Sequence, residues 1–387
     1  MGIIDCFSTF QYEKKYDVLK RNKFRKSDIK RNPYLQYNLG LTYYWGMGRR
    51  RNYPFAYMLF SRAADQGIKE ALYNLSIMYL FGKGVHKNHE KAHHILTDLA
   101  NRGIAHAQHN LGSLYLDGIY TTQDFDLASL WFHIASNQGI AQSMHNLGVM
   151  AFKGQGIPQN FEQAYIWFKD AADHGLGPSM HNLGIMFLHG YGVNQDNTQA
   201  KYWFEQAAAN GVGEAIHNLG IMYCAERDFI QAYALFKLAV EKRVPLAFYS
   251  LAIMYYKGMG VKKHYGQARQ FFLKAAFRNI PEAQHNLGVL YYKGKGTERN
   301  LLKAFFWLKE SGKLSFPEAY LKLGIMCLER REYQKAQLWF QEAEKRGLSQ
   351  SDISLGIMIY DKHIMSELSE IRFKTCSCHR MISPKDR

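Results

Sequence analysis

Four groups of residues in this chain are of types that do chemistry. His89-Glu90-Lys91-Ala92-His93 spells H-E-x-x-H, the spacing that sets two histidines one helical turn apart on a zinc ion with the glutamate as general base. Glu90 and Ala92 stand in register with Glu162 and Ala164 of a repeated helical pattern, and beyond the neighbouring His86 and His94 no third ligand is identifiable. Cys376-x-Cys378-His379 offers soft ligands, but a closed zinc site takes four and this spacing is not C-x2-C. The tail reads as a disordered, oxidisable segment. The expectation is therefore a protein with no catalytic residue, no metal and no cofactor.

The third group is a pair of columns. Asparagine recurs at Asn38, Asn74, Asn110, Asn146, Asn182, Asn218 and Asn286, and histidine one residue earlier at His109, His145, His181, His217 and His285. An amide presents a donor and an acceptor together, so a row of amides at a regular rise holds the backbone of an extended peptide without reading its sequence. The opposing expectation is that each amide bonds the adjacent repeat. Equivalent residues on packed helices stand on the order of 8 to 10 Å apart, while zinc ligands lie about 2.0 to 2.1 Å from one ion, so the histidine column is not a metal site.

The fourth group is basic: Lys20, Arg21, Lys23, Arg25, Lys26, Lys30 and Arg31 form a patch able to hold phosphates of nucleic acid or anionic lipid. Residues 1 to 51 carry a net +8, residues 371 to 387 a net +4, and the long middle the remaining +4 of the total +16. Five cysteines, odd in number and irregular in spacing, argue against a disulfide framework. The first ten residues lack a signal-peptide pattern and no apolar run is long enough to cross a bilayer. These observations point to a cytoplasmic chain.

The elements that position these groups are repeats. A leucine at the centre of an H-N-L-G-I-M-Y-like string falls at Leu39, Leu75, Leu111, Leu147, Leu183, Leu219, Leu251, Leu287, Leu323 and Leu355, seven intervals being 36 residues and two 32. Such a period marks a solenoid, in which each unit covers its neighbour's apolar face. Small residues four before the leucine (Ala71, Ser143) and aromatic ones four after it (Tyr79, Tyr115) define one helical face. The glycine after the leucine, as in Gly148, costs about 0.5 to 1 kcal/mol in a helix and so predicts a close approach by another helix. A G-x-G turn such as Gly82/Gly84 ends this first helix, and a second helix with Ala and an aromatic pair, as in Ala164 and Trp167-Phe168, ends on a glycine such as Gly175. Positions two and five after the leucine, among them Ile77, Val149, Ile185, Phe152 and Leu188, form a second apolar stripe that either packs between repeats or faces a partner.

The string A-x-x-x-L-G-x-x-Y-x-x-G-x-G-V followed by K-A-x-x-W-F-x-x-A-A-x-x-G, read at Ala71 to Gly103 and at Ser179 to Gly211, resembles the Sel-1-like repeat family, a relative of the tetratricopeptide repeats. Two copies, Leu219 to Phe248 and Leu323 to Asp352, omit the four-residue turn insertion. The resemblance implies an all-α chain: a right-handed α-solenoid of about nine helix-turn-helix repeats plus a C-terminal capping helix, its first helices lining a concave side. On this reading residues 1–31 are a basic arm, 32–365 the solenoid and 366–387 a basic tail. It further implies a non-enzymatic scaffold or adaptor with a peptide or protein ligand, related proteins using asparagine at the equivalent position to hold peptide backbone. An anionic partner at the N-terminal arm is the alternative, and the oligomeric state is left open.

Overall fold

The computed structural model describes residues 32–354. The arm with Lys20 to Arg31, residues 355–365 at the end of the expected solenoid, most of the expected capping helix, and the tail 366–387 lie outside the described residues. The chain divides after Asp196 into two units. The first holds α1 (Pro33–Trp45), α2 (Tyr53–Ala64), α3 (Lys69–Phe81), α4 (His89–Asn101), α5 (Ala105–Asp117), α6 (Phe125–Ser136), α7 (Ala141–Lys153), α8 (Phe161–Asp173) and α9 (Gly177–His189). The second holds α10 (Asn197–Ala209), α11 (Gly213–Ala225), α12 (Phe229–Glu241), α13 (Pro245–Lys257), α14 (Tyr265–Ala276), α15 (Pro281–Lys293), α16 (Leu301–Lys313), α17 (Pro317–Glu329) and α18 (Tyr333–Lys345). Within each unit, consecutive helices pack side by side as the α-solenoid reading expects. Among the described residues there is no strand.

The two helices of a repeat start by different physics. Second helices begin on a polar side chain: Asn52, Asn88, Asp124, Asn160 and Asn300 each accept the backbone N–H three residues on, at 2.8 to 3.0 Å. Apart from α1, which starts on Asn32, and α17, which starts on Phe316, first helices begin on an aliphatic residue that makes no such bond and is buried or half-buried instead, such as Ile68 or Ile140. Burial fixes the entry there, as in a hydrophobic staple. First helices end on a left-handed glycine; Gly82, at φ +66°, returns its N–H to the Met78 carbonyl. The two repeats without the insertion place Arg227 and Arg331 at positive φ instead, a strain on the order of 1 to 2 kcal/mol per residue.

The predicted notch is present. A Cβ on Gly148 would lie 2.7 Å from the ring of Phe168, so α7 and α8 meet only because that carbon is absent. Phe168, like Phe60, Phe132, Phe204, Phe236 and Phe272 in their own repeats, is fully buried four residues after a buried alanine. The G-x-G segment does more than turn the chain. A Cβ on Gly84 would stand 2.3 Å from the Tyr53 carbonyl carbon of the preceding repeat, which makes this glycine a contact between repeats. The residue between the two glycines caps the same joint: Lys83 Nζ donates to the Tyr44 hydroxyl at 2.8 Å, and Tyr191 stacks on Phe161 at 5.1 Å.

Candidate protein-binding face

The histidines two before the leucine lie across the buried phenylalanine of their own hairpin: His109 on Phe132, His145 on Phe168 and His217 on Phe236, with ring centroids 5.3 to 5.5 Å apart. From there the imidazole reaches the next repeat. His109 Nδ1 is hydrogen-bonded to Ser143 Oγ at 2.8 Å, His145 Nδ1 to Ser179 Oγ at 2.8 Å, and His217 Nε2 to Ser250 Oγ at 2.9 Å. Burial drives the pKa of His145 down to about 4, so the ring is neutral at neutral pH. His285, over Phe316 at 5.2 Å, is pushed down to about 3, first by burial and then by the charge of Lys322.

Where tyrosine replaces histidine the joint changes. Tyr73 and Tyr249 extend a hydroxyl past the serine position, and Asn110 Nδ2 donates to Tyr73 at 2.7 Å while Asn286 Nδ2 donates to Tyr249 at 3.5 Å. Both joints span the same offset of 37 residues. At these two joints the longer ring reaches the asparagine, whereas Tyr37 leaves the Asn74 amide unbonded; the shorter ring of His109, His145 and His217 stops at a serine.

These joints place much of the expected groove between repeats. Asn110, Asn286 and His109 are buried between repeats and spent on neighbours; Asn218 and His217 are buried as well. Asn74 is 2% exposed, and neither atom of its amide has a partner. Most of the second apolar stripe is sealed too, including Leu41, Ile77, Leu80, Ile253 and Tyr256. The physical reason is the short lever between repeats, which brings a polar tip on one first helix within bonding distance of the next. The serines that receive the histidines were absent from the sequence-based site, although Ser143 and Ser179 each follow a histidine by 34 residues.

The stretch that stays open lies on α7 and α9. Asn146 and Asn182 are half-buried, and no hydrogen bond occupies either amide among the described residues. Beside them Val149, Phe152, Ile185 and Leu188 are half-buried, where the equivalent Ile77 and Leu80 of α3 are sealed. His181 is also half-buried, and Asn38 repeats the pattern on α1. Helices α7 and α9 therefore carry two amides and an apolar strip within reach of solvent.

The H-E-x-x-H string lies on α4 with Glu90 and Lys91 exposed, Ala92 fully buried, and His89 and His93 half-buried. His93 packs edge-on against Tyr115 and near Tyr120, at 5.7 and 5.4 Å, and burial followed by the charge of His94 lowers its pKa. Among the described residues no three His, Cys, Asp or Glu side chains are grouped to hold a metal ion. Nor is any described helix long and apolar enough to cross a membrane.

The profile of the Sel1 repeat family matches nine segments, from residues 33–68 through 69–103, 105–140, 141–176, 177–212, 213–243, 245–276 and 281–316 to 317–348. The chain belongs to the Sel1 repeat family. Among solved structures it is similar to a protective antigen of uropathogenic Escherichia coli strains displaying an SLR fold, at 26% identity over 88% of this chain and 72% of that one, with a TM-score of 0.66. It also resembles a Sel1 repeat protein from Oxalobacter formigenes, at 23% identity over 82% of this chain and 90% of that one, with a TM-score of 0.58. No curated protein matches the sequence. Proteins built from Sel1 repeats are generally protein–protein interaction scaffolds, and in this Sel1 chain the half-buried amides of α7 and α9 fall inside the matched segments 141–176 and 177–212.

Proposed function

We propose that this Sel1 protein is a non-enzymatic scaffold that holds an extended segment of a partner protein across α7 and α9. The observation that carries the reading is the state of Asn146 and Asn182, half-buried with unoccupied amides while Asn110 and Asn286 in the same register are consumed. Each free amide offers one donor and one acceptor to a backbone. Packed helices lie on the order of 10 Å apart, the length of about three extended residues, so the two asparagines address backbone groups one short step apart. Val149, Ile185, Phe152 and Leu188 supply apolar contact beside them, favouring a segment with aliphatic or aromatic side chains. The neutral His145 adds no charge to this strip.

The test is a peptide-display selection on the wild-type chain, followed by affinity measurement of the enriched peptides. Asn146→Ala with Asn182→Ala is expected to weaken them about tenfold or more, by two lost backbone contacts, with an unchanged unfolding temperature. Asn110→Ala removes a joint and not a contact, so it lowers stability and leaves affinity near wild type. Peptides that bind the double variant as tightly as the wild type would refute the assignment.

A further inference from the structure

The near balance of charge in the repeat body conceals segments of opposite sign. Residues 257–313 carry twelve Lys/Arg against three Asp/Glu, a net +9, while residues 117–174 carry two against six, a net −4. Several second helices place an apolar side chain outward two residues after the core alanine: Leu130 and Ile166 in the acidic segment, Phe306 on α16 of the basic one, where α14 has Gln270, and Leu338 on the following α18.

The basic segment builds the larger apolar projection. On α16, Ala304, Leu308 and Ser311 face the core, and Leu302, Phe306, Lys309 and Lys313 fall on the opposite side of the helix. Leu302 is 85% exposed and Phe306 53%, and Phe277 at the end of α14, 71% exposed, meets α16 through Trp307 at 5.5 Å. Lys313 is paired with Glu310 at 2.6 Å, leaving exposed Lys309 and Lys274 to set the sign of the surface.

We infer that this outward face of α16, with Phe277 beside it, docks onto an anionic lipid bilayer surface. A leucine and two phenylalanines standing out from a helix face match the depth of the headgroup and acyl boundary, while lysines lay their stems along it and present ammonium groups to lipid phosphates. Such cations are drawn to the negative membrane surface, and the attraction falls off within a Debye length. A nucleic acid would use the same cations, but a projecting Leu302 offers no hydrogen bond to a phosphate or base edge. The charge therefore selects an anionic partner and the aliphatic tip selects lipid.

The experiment is co-sedimentation of the full chain with vesicles of phosphatidylcholine alone or mixed with phosphatidylserine. Binding is expected only to the mixed vesicles, falling with added salt. Leu302→Ser with Phe306→Ser, and separately Lys274→Glu with Lys309→Glu, are each expected to lower vesicle affinity about tenfold or more. Leu130→Ser with Ile166→Ser leaves it unchanged. Because all these side chains are exposed, the unfolding temperature stays at the wild-type value in every variant. Failure to bind mixed vesicles would overturn the inference. So would binding that survives both α16 variants, which would place any lipid contact in another basic segment such as residues 20–31. Loss in those variants of RNA binding or of self-association, with vesicle binding intact, would overturn it as well.

Discussion

Helices α5 and α7 carry asparagine in the same register, and the two residues do opposite things. Asn110 is bonded to Tyr73 of the preceding repeat and buried, while Asn146 is half-exposed and unoccupied. The difference lies one repeat upstream. The residue 37 positions before Asn110 is a tyrosine whose hydroxyl reaches it; 37 before Asn146 stands His109, whose shorter ring is taken by Ser143. Residue type at that position separates these two amides, while elsewhere the register behaves differently: Asn74 is sealed without a bond behind Tyr37, and Asn218 is buried behind His181. A repeat consensus averages over this distinction.

The comparison presumes that both stretches share one scaffold, and the largest effect tests that premise. Gly148→Leu drives a side chain into the Phe168 ring and Gly112→Leu does the same against Phe132. Each is expected to cost about 3 kcal/mol or more through overpacking, read as a fall in the denaturation midpoint; a cost at one site and none at the other would break the equivalence.

Acid sharpens the comparison from the histidine side. His145 is neutral in the fold with its pKa near 4, against 6.5 for an unperturbed ring. Between those values the unfolded chain gains a proton that the native chain refuses, so stability falls as pH drops from about 6.5 to about 4 and levels off below. The expected loss is on the order of 3 kcal/mol. His145→Gln removes this part of the slope in a pH series of denaturant titrations, whereas Asn110→Ala at the tyrosine joint lowers stability equally at all pH values in the window.

A conversion comes next in size. His109→Tyr combined with Ser143→Ala recreates at Asn146 the joint that Asn110 has with Tyr73. The variant is expected to fold with stability within about 1 kcal/mol of wild type and to bind selected peptides several-fold more weakly, because Asn146 is then occupied. Affinity equal to wild type would show that the upstream residue does not control the amide. The smallest effect is at Asn74, whose sealed amide lacks a partner. Asn74→Leu is expected to stabilise the chain by about 1 kcal/mol, seen as a higher unfolding temperature.

The repeat architecture was legible because it is periodic. Leucine spacing, the glycine notch at Gly148 and the left-handed turn glycine Gly82 all recur, and each has a single backbone explanation. The site was legible in position and not in state. Asn110 and Asn146 look identical in a repeat alignment, and only the length of the ring one repeat earlier separates them, a distance that spacing does not contain. The histidine-to-serine offset of 34 residues was present in the sequence, but it acquires meaning only once neighbouring first helices are known to bring those side chains together. The second glycine of G-x-G read as a turn residue, because the carbonyl it nearly touches belongs to Tyr53, 31 residues upstream.

Side-chain amide hydrogen exchange by NMR tests the difference between the two asparagines without requiring a partner. The NH2 groups of Asn146 and Asn182 are predicted to exchange with solvent at rates close to a free asparagine, and those of Asn110 and Asn286 to be strongly protected. Protection of Asn146 and Asn182 equal to that of Asn110 would contradict the account, since no free amide would remain on α7 and α9 to receive a partner's backbone.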